Sequence, residues 1–177
     1  MKRTVQTLLT LAAALWLGAC ATLDSSRAPQ WQPDAKWALL PMANHSDTPQ
    51  AGLAAESIVF ALMQAQGLQQ VARYPAELNP EALFETADRK SQTAALDWAK
   101  QAGVRYAVQG SVEEWRYKVG VDGEPAVGIS LNIIDVNSGN VVWSGVAGKS
   151  GWSRSSIAVT AQKLIDDLLD DADLPSR

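Results

Sequence analysis

The segment Asn44-His45-Ser46-Asp47-Thr48-Pro49 sets the only histidine of the chain beside a hydroxyl and a carboxylate. Those are the parts of a hydrolytic relay, in which imidazole takes a proton from a nucleophilic hydroxyl. Here they share one polar run of turn formers, with no oxyanion or nucleophile motif beside them. A lone histidine in such a run reads as a solvated or turn-stabilising residue, and we read the chain as a non-enzyme. One histidine rules out a multi-histidine zinc site, and one cysteine rules out an intramolecular disulfide or a cysteine metal cluster. The acids near the end of the chain (Asp166, Asp167, Asp170, Asp171, Asp173) lack the glycine-centred spacing of a calcium loop and read as a solvated helix face. No metal or cofactor is expected.

Two other places carry residues that chemistry or recognition can use. Lys118-Val119-Gly120-Val121-Asp122-Gly123-Glu124-Pro125 reads as the tip of a β-hairpin. Asp-Gly suits a type I′ turn, whose central residues need positive φ. That accounts for Asp122 without assigning it a task, and it leaves Glu124 unexplained. Trp152, between Gly151 and Ser153, is either packed at a helix start or exposed where its amphipathic indole would favour a membrane–water interface.

The N-terminus decides the compartment. Lys2 and Arg3 precede an apolar run from Leu8 to Leu17 that is too short to span a bilayer, which makes residues 1–19 a secretory signal. Leu17-Gly18-Ala19-Cys20 resembles the bacterial lipobox, and the sole cysteine stands where lipidation needs it. The expected mature chain starts at Cys20, held by acyl chains, several of which make a stable anchor where one is marginal. No aspartate follows Cys20 to suggest inner-membrane retention, so the periplasmic face of the outer membrane is the expected location. Of the 15 basic residues, Lys2 and Arg3 leave with the signal and no acid does, so 13 face 19 acids and the mature charge is near −6. That disfavours nucleic acid and suits a cationic partner.

Residues 20–34 contain Pro, Ser and Gln without apolar periodicity and read as a lipidated tether, with residues 35–177 as one periplasmic domain. Trp37–Ala43 suits a buried strand, with Pro41 near its end. A helix is expected from about Gln50 to Gln66, a strand over Leu68–Tyr74, a short helix from Asn79-Pro80-Glu81, and a helix over Ser91–Ala102. Val104–Val119, Pro125–Val136 and Val141–Lys149 alternate as strands of an antiparallel meander. A last helix, begun by Ser153 or Ser155, presents Ile157, Ala161, Leu164, Ile165 and Leu168. The order β-α-β-α-α-β-β-β-α is that of a layered α/β (α+β) domain. Strict alternation puts Trp115 and Tyr117 on the strand face opposite Val108 and Val112, where they are candidates for a subunit interface. Trp98 and Trp143 take core positions.

The strand–Asn loop–helix–Gly pattern of WALLPMANHSDTPQAGLAAESIVFALMQAQGL is similar to periplasmic lipoproteins of the CsgG, LpoB and TolB N-terminal-domain group. Ala102-Gly103-Val104-Arg105-Tyr106, GSVEEWRYKVGVDGEPAVG, Val142-Trp143-Ser144 and Ser150-Gly151-Trp152-Ser153 together resemble the PelC family, outer-membrane lipoproteins of Pel exopolysaccharide export. The resemblance implies a homo-oligomeric ring, a dodecamer, beneath the outer membrane, that sits on the β-barrel porin PelB and guides a cationic polysaccharide into it. It implies Asp122, supported by Glu124, as the acids that guide the polymer, and an exposed Trp152 toward the membrane. A second reading is a periplasmic lipoprotein regulator that activates a cell-wall synthase by protein–protein contact.

Overall fold

The structure, a computed structural model, describes residues 21–68, 70–75, 78, 89–120, 123–152 and 155–175. Cys20, Asp122 and the short helix expected from Asn79 lie outside the described residues. The elements in chain order are β1 (Ala21–Ser25), β2 (Trp37–Leu39), β3 (Ala43–Asn44), α1 (Ala51–Ala65), β4 (Val71–Arg73), α2 (Arg89–Gln101), β5 (Tyr106–Tyr117), β6 (Pro125–Asp135), β7 (Asn140–Ser150) and α3 (Ile157–Asp171).

One seven-stranded mixed sheet, ordered β1-β7-β6-β5-β2-β4, runs through the domain. Its long strands β5, β6 and β7 form the expected antiparallel meander, while β2 joins β5 and β4 in parallel. The expected first strand is broken near Pro41, which has no N–H to give a ladder. The chain resumes as β3, still parallel to β5 through Ala43↔Ser111.

Helices α1 and α3 cover one sheet face. The 3.6-residue spacing of Ala161, Leu164, Ile165 and Leu168 puts all four inward. They are almost fully buried among Val108, Val112, Ile129, Leu131, Ile133 and Trp143. Burial of this kind stabilises by about 1.5–3 kcal/mol for each large side chain, as an upper value. Gly145 makes room for the indole of Trp143, since a Cβ there would come within 2.5 Å of the ring. On the other face α2 seals a smaller cluster, in which Ala95 and Ala99 meet Ala38, Leu40 and Ala107, with Trp98 edge-on to Tyr74 at 5.4 Å.

Two expectations are corrected. Residues 21–34 are not a free tether. Ala21–Ser25 pairs antiparallel with β7, and the segment after it carries Trp31 into an aromatic cluster with Trp37 and Tyr106, each 5.1 Å away and edge-on. The Trp31 indole N–H donates to Ala172 O at 2.9 Å, which secures the segment to the end of α3. The face assigned to Trp115 is also wrong. The β5–β6 register shifts between Val112 and Glu114, so a β-bulge inserts one residue and reverses the alternation after it. Trp115 therefore lies in the main core with Val108 and Val112, only 7% exposed, and offers a neighbour almost no surface.

Candidate functional site

The described residues of the hairpin and Trp152 lie together at one end of the sheet. β5 and β6 close their hairpin through Tyr117↔Pro125 and a Lys118 N–H to Glu124 O bond of 2.7 Å. Beyond that bond Gly120 is exposed, as is Val119 before it. Val119 is completely exposed, Gly123 has φ 51, as a turn glycine should, and Glu124 is exposed. Asp122 is within this tip by sequence.

The end of β7 lies beside the hairpin. Ala126 faces Ser150, Gly151 N–H donates to Pro125 O at 2.8 Å, and the Lys118 ammonium donates to Ser150 Oγ at 2.6 Å. The contact is close enough that a Cβ on Gly151 would stand 2.7 Å from Pro125 Cγ and 2.8 Å from Thr160 Oγ1. Trp152 comes next, 62% exposed, with its carbonyl accepting Ser155 N–H at 2.9 Å. Packing at the helix start does not hide its ring. Tyr117 is half exposed and its hydroxyl accepts Ile157 N–H at 3.1 Å, so it caps α3, whose N-cap Ser156 supplies no side-chain bond. β1 begins at the same end, Ala21 opposite Lys149. The residue after Cys20, the acidic hairpin and Trp152 thus share one end of the domain.

The His45 segment is docked elsewhere and built as a turn. Asn44 Oδ1 accepts from Ser46 N–H and Ser46 Oγ at 3.1 and 2.7 Å, and Asn44 Nδ2 donates to Thr48 O at 2.9 Å. His45 N–H donates to Val112 O, and the Thr48 hydroxyl donates to Trp115 O, so the segment braces the bulge. The Ser46 hydroxyl is directed at Asn44 rather than the imidazole. The carboxylate beside His45 Nδ1 is that of Glu113, at 3.2 Å, rather than Asp47.

Glu113 is a residue that the sequence reading missed. Ser111 Oγ donates to Glu113 Oε1 at 2.5 Å and shares a 2.6 Å bond with Ser130 Oγ. The Ser111 hydrogen bond, with smaller help from His45, holds the Glu113 carboxyl below its ordinary value against an opposing effect of burial. The adjacent acids Glu113-Glu114 in an otherwise alternating strand were the available signal of the bulge. Among the described residues no group of three His, Cys, Asp or Glu side chains is placed to hold a metal ion, and no helix is long and apolar enough to cross a membrane.

No family profile matches the sequence, and a search of curated proteins finds no match. Solved structures do match. A PelC dodecamer from Paraburkholderia phytofirmans is 37% identical, with a TM-score of 0.74, over 89% of this chain and 99% of that one. A variant of that protein, also a dodecamer, is 38% identical at the same TM-score, over 89% of this chain and 100% of its own. Lipoprotein GNA1162 from Neisseria meningitidis, 16% identical with a TM-score of 0.57 over 77% of this chain and 96% of its own, shares the fold. Identity at that level over essentially the whole length of the first relative settles membership: the chain belongs to the PelC family.

Proposed function

We propose that the protein is a lipid-anchored, non-enzymatic subunit of a homo-oligomeric ring, a dodecamer, on the periplasmic face of the outer membrane. The ring guides the cationic Pel exopolysaccharide toward the porin PelB. The observation that carries this is the 37% identity to a relative that forms a dodecamer, spanning 99% of that relative. Cys20 carries the acyl chains, and Trp152 rests in the membrane interface. The shared placement of Trp152 and the start of β1 supports both roles, since an indole near an acyl anchor reaches the headgroup region without moving the domain.

Asp122, with Glu124 beside it, supplies the guiding charge. A ring repeats each carboxylate around its axis, and a polycation crossing such a circle makes many weak contacts that break one at a time, so it is attracted and still moves. The hairpin suits this, because Glu124 is exposed and contributes to no core. The regulator reading rests on fold alone.

Charge and turn geometry separate in one experiment. Asp122→Asn keeps an Asn-Gly turn as favourable as Asp-Gly. It should assemble normally and secrete less polymer, and Asp122→Lys should secrete less still through repulsion. Unchanged secretion by Asp122→Lys at matched protein level refutes the guiding role.

A further inference from the structure

The sheet face opposite α1 and α3 is left partly bare. Among the described residues α2 covers only its Ala38–Leu40 and Ala107 corner. Across β6 and β7 that side carries Ala126, Gly128, Ser130, Asn132 and Ile134, paired with Ser150, Gly148, Val146, Ser144 and Val141 in turn; Ala126 and Ile134 at its two ends are buried, Val146 and Val141 are exposed, and the rest are half-buried. Not one of these residues is charged. Solvated sheet faces ordinarily carry long or charged side chains, whereas depletion of charge marks the centre of a protein–protein contact. Short side chains and bare glycine also let another backbone come close.

At the middle of this face Val146 is 50% exposed, in a shallow depression of about 330 Å³ walled by Asp24, Ser130, Asn132 and Ser144. The Asn132 amide makes no hydrogen bond to the described residues. All five residues of β1, at the rim, are exposed, so the strand is held to β7 by its ladder and has its own outer edge open. Charged groups stand around this uncharged centre, Asp24 on one side, and on the other Glu113 beside His45 and the Glu114–Arg116 ion pair at 2.7 Å.

We infer that the outward face of β6–β7–β1, centred on Val146, is one half of the subunit contact in the ring and receives a second copy of this chain. The inference rests on the ring reading above. A closed ring of twelve is built from heterologous contacts, in which each subunit uses two different surfaces. One of them must be a patch that a single chain leaves uncovered. The uncharged centre with a charged border has the anatomy of such a patch.

The test uses the full chain, expressed with its leader and extracted in detergent, with mass read by native mass spectrometry. Wild type should have the mass of a dodecamer. Val146→Arg and Ser130→Arg should each have the mass of a single chain with an unchanged far-UV spectrum. Co-expressed with wild type, Val146→Arg should yield open, undersized assemblies, because its other surface still binds. Val146→Cys, which barely perturbs the sheet, should assemble, and its thiol should react about tenfold more slowly in the ring than an open thiol does. Arginine variants at dodecamer mass, or a Val146→Cys thiol in the ring that reacts like an open one, overturn the contact alone. A wild type with the mass of a single chain overturns the ring reading together with it.

Discussion

The phenol oxygen of Tyr117, at the last position of β5, accepts the backbone N–H of Ile157, the first residue of α3, at 3.1 Å. One hydrogen bond thereby joins the root of the acidic hairpin to the helix that follows Trp152. With the Gly151–Pro125 and Lys118–Ser150 bonds, it makes hairpin and tryptophan one mechanical unit.

Tyr117→Phe removes only that acceptor. Because Ser156 gives α3 no side-chain cap, the loss should lower stability by about 1 kcal/mol and speed hydrogen exchange at the Ile157 amide. Denaturant midpoint and amide exchange read the two effects. Wild-type exchange at Ile157 would show that the phenol is idle.

Gly151 and Gly120 separate crowding from openness within the same region. A methyl on Gly151 meets Pro125 and Thr160, whereas nothing lies within 4 Å of a Cβ on Gly120. Gly151→Ala should cost about 1–3 kcal/mol and Gly120→Ala no more than about 0.5 kcal/mol. Equal melting temperatures for the two variants would contradict the close contact between hairpin and β7.

Glu113 titrates below its ordinary value chiefly because Ser111 donates to it. A folded value lower than the unfolded one means that the stability gained is present above the ordinary carboxylate range. It is lost as pH falls through the folded value. Ser111→Ala should move the Glu113 titration upward, read by carbon-13 NMR of the carboxyl, and shift the acid limb of stability to higher pH. An unmoved titration would place the cause elsewhere.

Trp31 should behave as a core residue although the sequence around it reads as a tether. Trp31→Ala removes its edge contacts to Trp37 and Tyr106 and its bond to Ala172. It should cost about 2 kcal/mol and open residues 26–35 to protease. A variant as stable and as resistant as wild type would mean that the segment packs without consequence.

Much of the fold was legible because β6 and β7 alternate cleanly and α3 keeps its apolar spacing. What escaped had physical reasons. ATLDS has no alternation to read, since β1 is exposed along its whole length and is bound through backbone groups that every sequence possesses. The bulge at Val112/Glu114 defeats a period-two reading, because one inserted residue sends Trp115 inward. At the candidate site the exposed position of Glu124 was legible from the turn residues around it, whereas the residues around Trp152 left packing and exposure open and only the family resemblance favoured exposure. Their nearness to the start of β1 was not legible, because strand register is a long-range property.

The strand at Ala21 also limits how far the domain can travel. A free segment of fourteen residues between bilayer and domain would allow excursions of about 20 Å. With β1 laid on β7 from Ala21 onward, one peptide step of about 3.8 Å separates Cys20 from the sheet. The acyl group proposed on Cys20 would then act as a hinge pin rather than a leash, fixing height and restricting tilt. So mounted, the domain would not reach a distant enzyme across the periplasm, as an activator of a cell-wall synthase would have to do. It suits a stationary fitting whose identical copies must stand level against one bilayer.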